Sequence, residues 1–131
     1  MTRLPQTPDD TDARPAPIAD GRVCVVHCID FRIQQTADRL IAALGAYPGR
    51  FSRVSIAGGA GNFTQTRVNV ELSINLHNVK TLVLTAHEDC GAGVTRDDLA
   101  RALTLARGAY LDMQVRGFWI FLDGTWEEFP V

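Results

Sequence analysis

The sequence is organised around the stretch His27-Cys28-Ile29-Asp30-Phe31-Arg32, which directly follows the apolar run Val23-Cys24-Val25-Val26. Side chains that can do chemistry stand at alternate positions in it, namely Cys28, Asp30 and Arg32. Because alternate residues of an extended chain share one face, we expect the thiol, the carboxylate and the guanidinium to point the same way. The stretch alone is equally compatible with a buried cysteine that precedes a surface ion pair.

A second stretch of this kind is His87-Glu88-Asp89-Cys90-Gly91-Ala92-Gly93, which follows another strand-like run, Thr81-Leu82-Val83-Leu84-Thr85-Ala86. Neutral imidazole and thiolate are ordinary zinc ligands, so His87 and Cys90 can converge on one metal ion at this strand end. Neighbouring strands of a parallel sheet bring their C-terminal ends to the same crevice, where Cys28 can supply a third ligand. Three protein ligands leave one coordination position open, which is typical of a catalytic zinc site.

These motifs resemble those of the beta-class carbonic anhydrases, Cys-x-Asp-x-Arg and His-x-x-Cys. The matching residues are CIDFR at 28–32 and HEDCG at 87–91, with the glycine-rich segment 57–62 between them. The resemblance covers about residues 21–126. It implies a single α/β domain whose mostly parallel, twisted sheet has about four to five strands and is flanked by helices, a Rossmann-like arrangement.

The resemblance also implies a role for each motif residue. The ligands of Zn²⁺ would be Cys28, His87 and Cys90, and the catalytic dyad would be Asp30 and Arg32. In that family a zinc-bound hydroxide attacks carbon dioxide and bicarbonate leaves. Asp30 would orient the hydroxide by accepting its hydrogen bond, while Arg32 would keep Asp30 ionised. Whether Asp30 rests on zinc or on Arg32 is open at this point.

The glycine-rich turn between the motifs is expected to approach the substrate. A related turn lies beside the zinc in the family, and glycine lets the backbone come close to a bound ligand. The substrate-pocket residues that we expect on this basis are Gly59, Ala60, Gly61, Asn62 and Gly91. A dinucleotide-binding loop would require a third glycine where Thr64 stands, so a nucleotide site is disfavoured.

The remaining elements are predicted from apolar patterns and from turn and cap residues. Strands are predicted over 22–29, 51–57, 81–86 and 117–122. One helix is expected to start near Thr36, and another at Thr95 with Asp98 as its capping partner. Between residues 68 and 76 the alternating apolar positions favour a strand, but a crossover between parallel strands needs a covering element. We therefore predict a helix there.

Composition indicates one folded domain, residues 21–131, preceded by a Pro- and Asp-rich segment, residues 1–20, that we expect to be flexible. Removing the two Arg and four Asp of that segment from the chain's 13 basic and 15 acidic residues leaves a neutral domain. Nucleic-acid binding is not expected of a neutral domain. The sequence has neither an apolar run of membrane-spanning length nor a signal-peptide pattern, so we expect no membrane partner and a cytoplasmic location.

The other cysteine and one histidine are expected to be structural. Cys24 would lie about 13 Å from Cys28 along the strand, too far to share a metal ion or form a disulfide. His27 is predicted to be a packing residue rather than a ligand. We expect a homodimer or higher homo-oligomer, because Trp119 and the apolar last strand would otherwise risk exposure, and the resemblance places the subunit contact near the zinc.

Two alternatives to carbonic anhydrase activity stay open. One is a zinc hydrolase of the same fold that acts on carbonyl sulfide or carbon disulfide. The other is a zinc-binding, oligomer-forming protein without turnover. Both alternatives keep the same zinc ligands. The motifs therefore do not distinguish them from an enzyme whose small-molecule substrates are carbon dioxide and bicarbonate.

Overall fold

The structure, a computed structural model, describes residues 3–4, 15–18 and 21–130. Within this part of the chain a six-stranded sheet is flanked by three α-helices. The strands are β1 Arg3–Leu4, β2 Val23–His27, β3 Phe51–Ser55, β4 Thr81–His87, β5 Gln114–Ile120 and β6 Trp126–Glu128. The helices are α1 Gln34–Ala43, α2 Phe63–His77 and α3 Arg96–Ala109. Short 3₁₀ turns, Phe31–Ile33 and Gly59–Asn62, precede α1 and α2.

The strand order in the sheet is β1-β6-β5-β4-β2-β3. The four strands β3, β2, β4 and β5 are parallel. At one edge β6 pairs antiparallel with β5, and β1 pairs antiparallel with β6. The predicted fold class, a mostly parallel sheet with helices, is therefore confirmed. Because β2 and β4 are neighbours, their C-terminal ends lie side by side, and these are the ends that carry the two sequence motifs.

The core lies on both faces of the sheet. One cluster packs β2 and β4 residues against α2 and α3, and includes Val26, Leu84, Val70 and Leu99. The other packs the opposite face against α1, and includes Val25 and Leu40 among others. Both β2 and β4 are buried along their whole length, as their nearly continuous apolar sequences predict for central parallel strands.

The predicted helix over 68–76 is confirmed, because these residues lie within α2. Its alternating apolar residues do not mark a strand, because Val70 is buried while Val68, Leu72 and Leu76 are exposed. Those three residues are spaced four apart and form a stripe along the outer side of the helix. The alternation therefore reflects one buried and one exposed apolar row on the same helix.

The predicted start of α3 is also confirmed. Thr95 is the N-cap, and its hydroxyl oxygen accepts a hydrogen bond from the Asp98 backbone N–H. The Asp98 carboxylate in turn accepts from the Thr95 backbone N–H at 2.8 Å. This reciprocal pair satisfies two backbone donors that a helix start would otherwise leave without partners.

The end of the first parallel strand differs from the prediction. We expected a strand to residue 29 with Asp30 and Arg32 on one extended face, but β2 ends at His27. The Asp30 carboxylate accepts a hydrogen bond from the Arg32 backbone N–H at 2.8 Å and so caps a 3₁₀ turn instead. As a result Ile29 and Phe31 are exposed, whereas Ile33 is buried.

The predicted exposure risk at Trp119 was wrong. Strand β5 is internal to the sheet, β6 covers its outer edge, and Trp119 is buried. The guanidinium of Arg96 also lies over the Trp119 ring, 5.5 Å from its centroid. Trp119 therefore gives no surface for a contact between subunits.

The expected flexible segment, residues 1–20, falls mostly outside the described residues. Of its described parts, Arg3–Leu4 pairs with β6, and the Ile18 backbone N–H donates to the Leu44 carbonyl at 2.9 Å. The Ala16 carbonyl accepts a hydrogen bond from the buried Arg116 guanidinium at 2.6 Å. These parts lie against the domain. Among the described helices, none combines the length and apolar character needed to cross a bilayer.

Candidate metal centre

Three side chains with metal-ligating atoms converge at the C-terminal ends of β2 and β4. Cys28 follows β2 directly, His87 is the last residue of β4, and Cys90 lies in the loop after β4. Their ligand atoms all lie within 4.8 Å of one another. Ligands of one tetrahedral zinc ion, bound at about 2.0–2.3 Å, lie about 3.5 Å apart, so small side-chain rotations would bring all three into range.

The imidazole of His87 is oriented so that its Nε2 could bind a metal ion. Its Nδ1–H donates to the Glu88 carbonyl oxygen at 2.7 Å, which places the lone pair on Nε2. Among the described residues that Nε2 has no hydrogen-bond partner, and the side chain is only 1% exposed. A buried acceptor without a partner is costly. An ion such as Zn²⁺, which accepts nitrogen and thiolate ligands, therefore fits this donor set.

The thiol of Cys28 is buried and contacts the glycine-rich turn. Its Sγ accepts a hydrogen bond from the Gly58 backbone N–H at 3.3 Å. The next residue, Gly59, has φ +53°, and a Cβ there would lie 2.7 Å from the Thr85 carbonyl oxygen. Glycine is required at Gly59 because the turn packs directly on the ends of β2 and β4.

The residues expected to line the substrate pocket are not all placed alike. Within the turn, Gly59 and Ala60 are buried, and Gly61 and Asn62 are half-buried. Gly91 is exposed in the loop after β4. Their role in binding a substrate stays a prediction. In this segment the Gly58 backbone N–H donates a hydrogen bond to the candidate ligand Cys28.

Asp30 and Arg32 form a paired carboxylate and guanidinium beside the cluster. The Arg32 Nη2–H donates to Asp30 Oδ2 at 2.7 Å, and its Nε–H donates to Oδ1 at 3.1 Å. Asp30 Oδ2 also lies 3.8 Å from His87 Nε2. Hydrogen bonds from the Arg32 side chain and then from its backbone N–H lower the pKa of Asp30 to about 2. Asp30 is therefore ionised at neutral pH, and in this structure it rests on Arg32.

A further carboxylate, Asp89, holds Arg32 from the other side. Arg32 donates through Nη1 to Asp89 Oδ2 at 3.1 Å and through Nη2 to the Asp89 carbonyl at 2.9 Å. Asp89 has φ +54°, a left-handed conformation that Asp tolerates better than most residues. The neighbouring Glu88 accepts from the Leu122 backbone N–H at 2.7 Å and so ties the loop to the turn after β5. The two motif loops are thus joined through Arg32.

Sequence reasoning missed the residue that holds the Cys28–Asp30 backbone. The Gln34 amide donates to the Cys28 carbonyl at 3.0 Å and to the Asp30 carbonyl at 2.8 Å. Nothing in the sequence singles out Gln34, because a glutamine early in a helix is ordinary. This amide fixes the path of the chain between the candidate ligand and the candidate dyad.

His27 is buried and faces away from the cluster, as predicted. Its Nδ1–H donates to the Cys28 carbonyl at 2.9 Å, and its Nε2 accepts from the Arg53 Nε–H at 2.8 Å. Burial is the largest effect on its pKa and lowers it, which favours the neutral ring. Cys24 is fully buried in the core, and burial raises its thiol pKa to about 11. Cys24 and His27 are thus structural residues.

Comparison with solved structures relates this arrangement to known proteins. The structure superposes on a carbonic anhydrase from Glaciozyma antarctica with a TM-score of 0.66 and 15% identity, covering 91% of this chain and 87% of that one. A beta-carbonic anhydrase from Trichomonas vaginalis gives a TM-score of 0.63 and 17% identity, covering 98% and 86%. This chain has the beta-carbonic anhydrase fold. An apo form of carbon disulfide hydrolase also matches, with a TM-score of 0.59 and 15% identity, covering 82% and 77%.

Sequence comparisons are less informative. No family model matches the chain. Uncharacterized proteins from Rickettsia conorii and Rickettsia bellii are 31% and 27% identical over 82 residues, which is 56% of this chain. The chain spans about half the length of these curated relatives, 44% and 49% respectively.

In this example of the beta-carbonic anhydrase fold, large apolar side chains border the cluster. Ile29 is 59% exposed and Phe31 is 89% exposed, and both lie between Cys28 and Arg32 in the chain. The same short segment thus carries two exposed apolar side chains and Arg32, which pairs with Asp89.

Proposed function

We propose that this protein is a zinc-dependent carbonic anhydrase that catalyses the reversible hydration of carbon dioxide to bicarbonate. The observation that carries the proposal is the convergence of Cys28, His87 and Cys90 beside the Asp30–Arg32 pair. His87 Nε2 is buried there and has no hydrogen-bond partner in the part of the chain that the structure describes. The fold, which the chain has in common with carbonic anhydrases, supports the same reaction.

Zinc bound by these residues would supply an acidified water, and hence a hydroxide nucleophile at neutral pH. Two thiolates and one neutral imidazole offset the charge of the ion, so acidification should be weaker than with three histidines. Help from a neighbouring acceptor then matters more. Asp30 can give that help because its carboxylate is ionised and lies next to His87 Nε2.

In this proposal Asp30 accepts the O–H of the attacking nucleophile at Oδ2 and so directs its lone pair towards carbon. Arg32 keeps that carboxylate ionised and fixes its orientation through two parallel hydrogen bonds. Asp89 limits the movement of Arg32 by binding it from the other side. Arg32 and Asp89 are positioning residues, and Asp30 is the proposed catalytic residue.

We also propose that the active form is a homodimer or higher homo-oligomer in which a second copy covers Ile29 and Phe31. The support is that both side chains are exposed next to the candidate site in a chain whose own core does not use them. A cytoplasmic location stays a prediction from the sequence.

A second candidate function is hydrolysis of carbonyl sulfide or carbon disulfide by the same residues. It is favoured by the likeness to carbon disulfide hydrolase, which shares the fold. Carbon dioxide, carbonyl sulfide and carbon disulfide each present an electrophilic carbon between two group-16 atoms, so the same nucleophile can attack all three.

The test is to measure zinc content and then carbon dioxide hydration by stopped flow on the purified protein, with sulfide release from carbonyl sulfide and carbon disulfide alongside. We expect a full zinc complement and hydration well above the uncatalysed rate. Sulfide release without hydration would replace the proposal with the second candidate. A zinc-loaded protein without either activity would overturn both and indicate a non-catalytic zinc protein.

A further inference from the structure

A cavity of about 400 Å³ opens at the N-terminal ends of β2 and β3, beside the end of α2. Arg22, Arg50, Ser52 and His77 contribute polar groups to its wall, and Phe51 and Val79 contribute apolar surface. Arg22 directly precedes β2 and Cys28 directly follows it, so the cavity lies about 20 Å from the candidate metal centre. This volume lies in the range of small-molecule sites.

The cavity is basic although the chain as a whole carries a net charge of −2. Among the described residues that line it there are two arginines and no carboxylate. The C-terminal end of α2 adds a partial negative charge of about half a unit, which the full charge of the Arg50 guanidinium outweighs. A site of this charge attracts anions.

A chain of hydroxyl groups sets the hydrogen-bonding state of His77. The buried Ser73 hydroxyl donates to the Ser52 oxygen at 2.8 Å, which leaves the Ser52 hydroxyl to donate to His77 Nδ1 at 2.7 Å. With Nδ1 acting as an acceptor, the proton of a neutral His77 ring is on Nε2. The ring can therefore donate a hydrogen bond to a ligand whether or not it is protonated.

We propose that this cavity binds a small organic anion that carries a carboxylate or phosphate group on an apolar body. Arg50 and His77 Nε2–H bind the charged group, while Phe51 and Val79 contact the apolar body. The site is independent of the candidate metal centre and of the proposed activity. It makes the end of the sheet opposite the metal centre a second place of small-molecule recognition.

Zinc-loaded protein labelled with ¹⁵N, titrated separately with benzoate, phenyl phosphate and benzyl alcohol, tests the proposal by the shifts of backbone amide signals. We expect both anions to shift Gly49, Arg50 and His77 saturably, with a Kd on the order of 1 mM or lower. Neutral benzyl alcohol, which has the same apolar body, should bind at least about fivefold more weakly. Signals of Gly58 and Asp89 report separately on any anion that binds at the metal centre.

Arg50→Gln and His77→Ala should each weaken binding of both anions by about fivefold, because the first removes the positive charge and the second removes the Nε2–H donor. Arg101→Gln is the matched control, since it removes an exposed arginine on α3 and should leave the titration unchanged. Shifts confined to the metal centre, equal binding of benzyl alcohol, or full binding by both variants would overturn the proposal. So would the absence of saturable shifts up to about 10 mM.

Discussion

At the scale of single residues, Cys28, His87 and Cys90 differ from Cys24 because their ligand atoms lie close together. We expect one zinc ion per chain, lost on changing Cys28→Ser, His87→Ala or Cys90→Ser. Cys24→Ala should keep the ion, because Cys24 is in the core and outside the metal-binding group. Metal analysis after dialysis checks this. Equal zinc loss in Cys24→Ala and Cys28→Ser would contradict the assignment.

The carboxylate of Asp30 should matter for turnover and not for metal binding. Asp30→Asn keeps the shape but removes the charge and can present an N–H where an acceptor is needed. We expect the full zinc content and a fall in the carbon dioxide hydration rate of at least about 100-fold. Arg32→Ala should act in the same direction by releasing Asp30. Wild-type rates in a zinc-loaded Asp30→Asn protein would make the pair structural.

Asp89 should have a smaller effect that separates positioning from chemistry. Asp89→Asn retains the backbone carbonyl contact to Arg32, and Asn tolerates the positive φ. It removes only an exposed ion pair that solvent screens, so kcat should fall by no more than about fivefold. Asp112→Asn, an exposed change away from the site, serves as the control. A loss as large as that of Asp30→Asn would give Asp89 a direct part in the reaction.

At the scale of elements, the stability of α3 should depend on its N-cap. Thr95→Ala removes the hydroxyl that accepts from the Asp98 N–H, so the free energy of unfolding should fall by about 1 kcal/mol. Thr104 lies in the middle of the same helix, where its hydroxyl donates to the Ala100 carbonyl. Thr104→Ala should change stability by less than about 0.5 kcal/mol. Urea unfolding of the zinc-loaded proteins compares the two, and equal effects would exclude a special role for the cap.

The elements also show where local pattern and tertiary context disagree. Apolar alternation in α2 favours a strand, yet the segment is a helix because the connection from β3 to β4 must cross the sheet and cover it. The end of β2 is a second place where the sequence pattern and the structure disagree. There the Asp30 carboxylate accepts a hydrogen bond from the Arg32 N–H and the chain leaves the strand, which brings Asp30 close to His87.

At the scale of the whole molecule, the exposed apolar residues predict the oligomer. Light scattering should report at least twice the chain mass of 14.4 kDa at micromolar concentration. Phe31→Asp should shift the equilibrium towards monomer, because it places a charge in the proposed contact. Leu111→Asp is the control, since Leu111 is 84% exposed but lies before β5, at the other end of the sheet. A monomeric wild type, or equal effects of the two changes, would refute the contact.

What the sequence by itself determined are features that depend on neighbours along the chain. The buried character of β2 and β4 and the Thr95–Asp98 cap are written in short segments. The ligand types of the candidate metal centre, Cys28 and the pair His87 and Cys90, follow from the same kind of local pattern. The strands and the helix cap could be predicted because hydrophobic periodicity and capping act over a few residues.

Only the tertiary structure decided which groups meet across the sheet. The hydrogen bond from the Gly58 N–H to the Cys28 thiol and the hydrogen bond from Arg32 to Asp89 join residues whose local sequences carry no sign of one another. The physical reason is that such contacts depend on strand order and on where each strand ends. Because β2 lies beside β4 and ends at His27, the two motifs become one site.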